Sequence, residues 1–112
     1  MLAVSNYEAG KVVTTLPIGA GVDGTAFDPA SGDVFSSNAD GTLTVIHQDA
    51  ADQYHVVENL QTPQFARNMG LDSTNHCVFI VSARFGPAPA GGRGRGQVLP
   101  DSFTLMVIER AR

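Results

Sequence analysis

The sequence predicts an all-β fold built from repeated units of four short antiparallel strands. Residues 11–38 lie without a gap over residues 55–82, so the chain repeats itself at an offset of 44. Short apolar runs alternate with turns rich in Gly, Pro and Asp, as is typical of strands and tight connections. No stretch combines a sustained 3.6-residue apolar period with capping signals, so few or no helices are expected.

The first copy of the repeat predicts four strands in order. "VDGTAFD" (22–28) and "DVFSSN" (33–38) flank the turn "PASG". The tight turn "ADG" leads into "TLTVIHQ" (42–48), and the loop "DAADQ" leads into "YHVVENL" (54–60).

The rest of the chain repeats these strands in a shifted phase. "DGTLTVI" (40–46) matches "SFTLMVI" (102–108) at an offset of 62, so 62 − 44 = 18 residues are inserted in the second copy, holding "GPAPAGGRGRGQVLP". "LAVSNYEAGKVV", near the start, matches "LTVIHQDAADQYHVV" with three residues removed. The chain is therefore a repeat array that begins with the third strand of a unit.

Nine strands follow, in the order C, D, A, B, C, D, A, B, C. Residues 1–17 supply the C and D strands of a partial unit, 18–61 a complete unit, and 62–112 a partial unit with a Pro-, Gly- and Arg-rich insertion at 84–102. In "CVFIVSA" and "TLMVIE" both strand faces are apolar, as expected of a sheet packed between two others. Four antiparallel strands per repeat of about 44 residues are typical of a β-propeller blade, so the chain is predicted to supply about two blades.

"GKVVTTLPIG" followed by "TAFDPASGDVF" and "NADGTLTVI" resembles the YVTN-type β-propeller repeat proteins over nearly the whole chain, except the insertion. Two positions depart from that pattern: Phe65 stands where the first copy has Gly21, and the turn "STNHC" (73–77) lacks Pro and Gly. The resemblance implies a parent protein that is often periplasmic or extracellular. The first residues lack a signal-peptide pattern, so the compartment is left unassigned.

The incomplete blades predict self-association. About two blades leave apolar sheet faces and strand edges in water, whereas propellers close with four to eight blades. The D strand "KVVTTLP" (11–17) of one copy would complete the last blade of the next, head-to-tail, giving a closed trimer or tetramer. "LAVSNY" would then compete with "TLMVIE" as a surplus C strand, and the sequence leaves open which is displaced.

Candidate binding residues lie on the inner strands and in the insertion. The residues expected nearest a central channel are Asp23, Phe65, Arg67 and Asn68. Rim-loop contacts are expected from Arg84, Arg93 and Arg95, in a segment whose "GGRGRG" resembles nucleic-acid-binding RGG sequences without nearby aromatic residues.

No catalytic residue, cofactor or metal ligand is predicted. His47, His55 and His76 with Cys77 fit no zinc spacing, and the Asp residues before Gly or Pro have the ordinary turn role rather than a calcium-loop pattern. Cys77 is expected to be a small core residue, and no nucleophile, zinc-protease or phosphate-loop motif is present.

Composition narrows the function classes further. A net charge of −4 argues against a nucleic-acid or anionic-membrane partner, and no apolar run reaches the length of a membrane span. The expected function is a non-enzymatic repeat module, natural, excised or engineered, that assembles with itself. The alternative is a segment of a larger ligand-binding propeller or of a lactonase-like or quinoprotein-like enzyme, with its site over the central channel.

Overall fold

Nine β-strands make up the regular structure in the computed structural model, which describes residues 1–84, 86–87 and 96–109. The strands are β1 (Leu2–Asn6), β2 (Lys11–Leu16), β3 (Val22–Asp28), β4 (Asp33–Asn38), β5 (Thr42–Ala50), β6 (Gln53–Gln61), β7 (Arg67–Asp72), β8 (Cys77–Ser82) and β9 (Thr104–Glu109). The all-β prediction is confirmed for this part of the chain, and none of its segments is an apolar helix of membrane-spanning length.

The strands form three antiparallel sheets in chain order. The first sheet is β1–β2, the second is β3–β4–β5–β6, and the third is β7–β8–β9. Within each sheet, every strand pairs with its neighbour in sequence. Most of these pairs are hairpins with short turns, which suit antiparallel pairing, whereas β8 and β9 are joined through the insertion.

The second and third sheets use the same pairing register. Phe35 is opposite Val45 in the second sheet, and Phe79 is opposite Val107 in the third, at offsets of 44 and 62. The first and second sheets also share an irregularity, since the register shifts between Val4 and Ser5 as it does between Val45 and Ile46. The repeat found in the sequence is therefore also a repeat of backbone pairing.

Two strands of the second sheet are longer than the sequence predicts. β5 continues to Ala50 and β6 begins at Gln53, so the predicted loop "DAADQ" shrinks to a two-residue turn at Ala51 and Asp52. The ladder continues because Gln48 and Ala50 still pair with Tyr54 and Gln53 after a register shift.

The main apolar core lies between the second and third sheets. Leu43 of the second sheet and Val78 and Ile80 of the third are almost fully buried there, together with Phe35 and Ala66. The half-buried side chains that surround this core are Val45, Leu60, Met69, Leu71, Met106 and Ile108. Alternate residues of β8 and β9 thus point toward the second sheet, and the residues between them point away from it.

Matching positions of the two copies share a left-handed backbone. Gly21 has φ +72° and its counterpart Phe65 has φ +60°, while Gly32 has φ +77° and its counterpart His76 has φ +57°. Glycine adopts this conformation freely, whereas a residue with a Cβ pays about 1–2 kcal/mol. The third sheet therefore keeps the turn geometry of the second sheet with less suitable residues.

Candidate functional site

The candidate channel residues lie where the first strands of two sheets meet. The amide of Asn68 in β7 donates a hydrogen bond of 3.0 Å to Oδ2 of Asp23 in β3. Phe65, about one-third exposed, donates its amide to the carbonyl of Ala39 at 3.0 Å. Arg67 is in β7, next to Asn68. The structure thus brings Asp23 and Asn68 into contact, and the carboxylate of Asp23 already accepts a backbone hydrogen bond.

The ends of the insertion are joined by a short ladder of hydrogen bonds. The carbonyl of Arg84 accepts from the amide of Leu99 at 2.8 Å, and the amide of Gly86 donates to Gln97 at 2.7 Å. The buried hydroxyl of Ser102 donates to the carbonyl of Leu99 at 2.7 Å and accepts from the amide of Arg84 at 3.0 Å. Of the predicted rim contacts, Arg84 is exposed, while Arg93 and Arg95 lie outside the described residues.

An aspartate closes the turn between the first two strands of the second sheet and of the third sheet, Asp28 and Asp72 respectively. Asp28 is buried, and its carboxylate accepts from the amide of Ala30 and the hydroxyl of Ser31 and lies 2.6 Å from Nδ1 of His76. The contact with His76, followed by those with Ser31 and Ala30, holds the pKa of Asp28 below its usual range despite burial. Because His76 lies in the turn between β7 and β8, this contact ties the turns of the second and third sheets together.

All three histidines of the chain face carboxylates around one groove. Besides His76, Nδ1 of His47 lies 2.8 Å from Oδ1 of Asp33, and Nδ1 of His55 lies 2.6 Å from Oδ2 of Asp49. The rings of His47 and His55 meet edge to face, 6.1 Å apart. The groove encloses about 590 Å³ between β6 and β9, and Val57, Glu58 and Ile108 also line it.

The third sheet leaves one apolar face uncovered. Val78 and Ile80 pack against the second sheet, so their neighbours along the strands point the other way. Leu105 and Val107 are more than half exposed on that side. We call this surface the third-sheet face; it comprises Phe79, Val81, Leu105 and Val107.

The second sheet is incompletely covered on its opposite side. Phe27 is 46% exposed and Val22 is 52% exposed. The strand β1 lies over them and leaves a groove of about 600 Å³. We call this surface the second-sheet face; it comprises Val22, Thr25, Phe27 and Val34.

The molecule exposes more surface than a compact protein of its mass. Its accessible surface is 7303 Å², whereas the size scaling for a folded 11.8 kDa monomer gives about 5,900 Å². The radius of gyration is 15.8 Å, against about 13 Å for a compact chain of 112 residues.

A buried polar network inside the second sheet was not predicted from the sequence. The amide nitrogen of Asn38 donates to the hydroxyls of Thr42 and Thr44, both at 3.0 Å, and its oxygen accepts from Ser36 at 2.9 Å. Thr44 donates onward to Asn59 at 2.7 Å. In the sequence these short polar residues look like ordinary strand residues. Only the packed structure shows that their side chains are hydrogen-bonded to one another.

The described residues show no metal-binding cluster and no activated thiol. None of their His, Cys, Asp and Glu side chains form a group of three that could hold a metal ion. Cys77 is buried, and its burial, helped by the carboxylates of Glu109 and Asp72, raises the pKa of its thiol. A thiol kept protonated in this way is a poor nucleophile.

Comparisons with known proteins place the chain in no family. No protein-family pattern, no curated protein and no solved structure matches it. Its function therefore has to be argued from its own sheets and surfaces.

Proposed function

We propose that this chain is a non-enzymatic β-propeller repeat module that associates head-to-tail with copies of itself to complete a ring. The observation that carries the proposal is a pair of incompletely covered apolar surfaces, one on the outer side of the third sheet and one on the side of the second sheet that β1 partly covers. The third-sheet face exposes Leu105 and Val107, and the second-sheet face exposes Val22 and Phe27. Apolar patches of this kind are typical of protein–protein contacts.

The two faces suit each other because each is a sheet surface with apolar residues in its centre. Sheets pack face to face about 10 Å apart, as the second and third sheets already do within the chain. A contact between different faces is heterologous, so it forms either a closed ring or an open filament. With about two blades per chain, three copies would give six blades and four copies eight, within the usual propeller range.

Light scattering after size exclusion, over a hundredfold range of concentration, tests this proposal. The unmodified chain is expected to elute at three or four chain masses. Val107→Glu, which puts a charge in the centre of the third-sheet face, is expected to reduce the mass to one chain. Tyr7→Glu is the matched control, because Tyr7 is 91% exposed in the turn between β1 and β2, away from both faces.

Circular dichroism of each variant separates loss of association from loss of folding. Val107 is already 52% exposed, so its replacement should leave the monomer folded. An unmodified chain that stays monomeric at every concentration would refute the proposal. Equal masses for Val107→Glu and the unmodified chain would show that the third-sheet face is not the contact.

The second candidate is a segment of a larger ligand-binding or enzymatic propeller. It is favoured by one contact, between Asp23 and Asn68, because it gathers polar groups where the first strands of two sheets meet. In such a protein Asp23→Ala would weaken ligand binding without changing the chain's mass. In the assembly that we propose, one copy of this contact would recur in every chain and supply no reaction by itself.

A further inference from the structure

We infer that β1 occupies, within the chain, the place that β9 of a neighbouring copy takes in the assembled ring. This inference rests on the proposed function and names the contact that forms it. In the assembly, β2 of one copy pairs with β9 of the next, and β1 is displaced.

The pairing registers indicate that β2 can pair with any strand equivalent to β5, the C strand of the second sheet. In the first sheet β2 pairs Leu16 with Leu2 and Thr14 with Val4. In the second sheet the equivalent strand, β6, pairs Leu60 with Leu43 and Glu58 with Val45. β1 and β5 are therefore equivalent at an offset of 41, and both hairpins skip one residue, Val13 and Val57 respectively.

The strand β9 is equivalent to the same C strand. It pairs with β8 as β5 pairs with β4, and its outer edge in the third sheet has no neighbouring strand among the described residues. Carrying the register of β5 and β6 over to β9 and β2 gives a specific set of pairs. The pairs expected between two copies are Leu105 with Leu16, Met106 with Thr15, Val107 with Thr14, Ile108 with Val12, and Glu109 with Lys11.

The charges at the end of this register are complementary. In the first sheet Lys11 is opposite the neutral Asn6. In the intermolecular register it would be opposite Glu109, whereas the equivalent pair in the second sheet is the contact between His47 and His55. Opposite charges directly across two strands stabilise the pairing, so the last pair favours β9 over β1.

Burial indicates which C strand gives way. None of the five residues of β1 is buried, and its apolar side chains line the groove on the second-sheet face. In β9, Met106 and Ile108 pack against the core between the second and third sheets. Displacing β9 would open that core, whereas displacing β1 uncovers the second-sheet face that the next copy needs.

Pairing of β2 with β9 of another copy would also fill the groove between β6 and β9, which the three histidines line. Val12 is 59% exposed in the chain, and its expected partner Ile108 lines the groove between β6 and β9. Because opposite residues share a sheet face, Val12 of the incoming strand would enter that groove. One exchange thus completes the third sheet, frees the second-sheet face and covers an apolar side chain.

A disulfide that locks β1 onto β2 tests the inference in the full-length chain. Directly opposite residues in antiparallel strands have Cα atoms about 4.5–5.5 Å apart, which is within disulfide range. Val4→Cys with Thr14→Cys, in a Cys77→Ala background, is therefore expected to close within one chain. The oxidised protein should remain a monomer at concentrations where the reduced protein forms three- or four-chain assemblies, and Thr14→Cys alone should assemble under both conditions.

An intermolecular crosslink tests the register. Thr14→Cys with Val107→Cys, in the same background, should give a ladder of covalent multimers, whereas Thr14→Cys with Leu105→Cys should crosslink far less because diagonal neighbours are about 7–8 Å apart. Lys11→Glu should weaken assembly about two- to fivefold, and adding Glu109→Lys should restore it.

The outcomes separate the two proposals. If the oxidised, locked chain assembles at the same concentration as the reduced chain, the inference that β1 is displaced is wrong, but the proposal of self-association still stands. Assembly without the Thr14–Val107 crosslink would overturn the register. A reduced chain and an unmodified chain that are both monomeric would overturn the proposed function and this inference with it.

Discussion

The second and third sheets use one backbone plan with different interiors. Their pairing registers agree at offsets of 44 and 62, yet the second sheet has four strands and the third has three. At equivalent positions the second sheet has the fully buried Ser36 and Thr44, where the third has Ile80 and Met106. The four-stranded sheet is held partly by a polar network, and the three-stranded sheet relies on apolar contacts.

Exposure in the two sheets depends on whether another sheet packs on the face concerned. Leu43 in the second sheet is fully buried, whereas its counterpart Leu105 in the third sheet is 56% exposed. Both have the same place in the register, so the residue type does not explain the difference. The third-sheet face is exposed because no further sheet packs on it within the described chain.

The largest difference in stability between the two sheets is expected from truncating Leu43 and Leu105 to alanine. Leu43→Ala should lower the free energy of unfolding by about 2–5 kcal/mol, because it leaves a cavity in the core. Leu105→Ala should change it by less than about 0.5 kcal/mol under monomeric conditions, as for most exposed positions. Denaturant titration at low protein concentration measures both, and equal losses would contradict the assignment of Leu105 to an open face.

The next effect concerns the polar network. Asn38→Ala should cost about 1–3 kcal/mol, because it leaves buried hydroxyl groups of Ser36 and Thr44 without their shared partner. Ser82→Ala, at the equivalent position of the third sheet, should cost less than about 1.5 kcal/mol, since at most an ordinary hydrogen bond is lost. If the two variants unfold at the same denaturant concentration, the second sheet does not depend on this network.

Replacing a glycine by alanine is expected to change stability by a smaller amount, with opposite signs at Gly21 and Gly70. Gly21→Ala should destabilise the protein by about 1–2 kcal/mol, because its φ is +72° and an added Cβ would lie 3.0 Å from that of Ala39. Gly70→Ala restores the residue found at position 26 in the first copy, and an added Cβ would have no atom within 4 Å. It should stabilise the protein by about 0.5 kcal/mol, and a loss measured by thermal unfolding would show that the third sheet needs this glycine.

The smallest expected effect on stability comes from Asp28 and Asp72 and appears only at acidic pH. The pKa of Asp28 is lowered by His76 first, and that of Asp72 by Asn75 first, so both carboxylates favour folding at neutral pH. That stability is present above the ordinary aspartate pKa of about 3.9 and is lost as the pH falls below it toward the lowered values.

Asp28→Asn should therefore flatten the acid limb of the stability–pH curve more than Asp72→Asn, because only Asp28 joins the two sheets through His76. Urea unfolding at a series of pH values below 6 measures both variants. An identical acid limb in Asp28→Asn and the unmodified chain would rule out this contribution.

The sequence was sufficient for the strands and their partners, because turn residues and two-residue alternation are local signals. It placed β3 at 22–28 and β4 at 33–38, as the structure does. It did not reveal that β5 and β6 lengthen at the expense of the loop between them, because Asp49 and Ala50 have weak strand preferences that pairing overrides.

The candidate site was less predictable, because its contacts form between sheets. The strand pattern predicts that Asp23 and Asn68 lie on inner strands, but their hydrogen bond depends on how β3 packs beside β7. The contact between His76 and Asp28 joins residues 48 positions apart. No spacing rule within one strand or turn could indicate it.

Native mass spectrometry of the unmodified chain tests the central claim most directly, because it counts the chains in each assembly. The proposed ring predicts one dominant species of three or four chains of 11.8 kDa, unchanged as concentration rises. A single chain at every concentration would contradict self-association, and a continuous series of ever larger species would contradict ring closure.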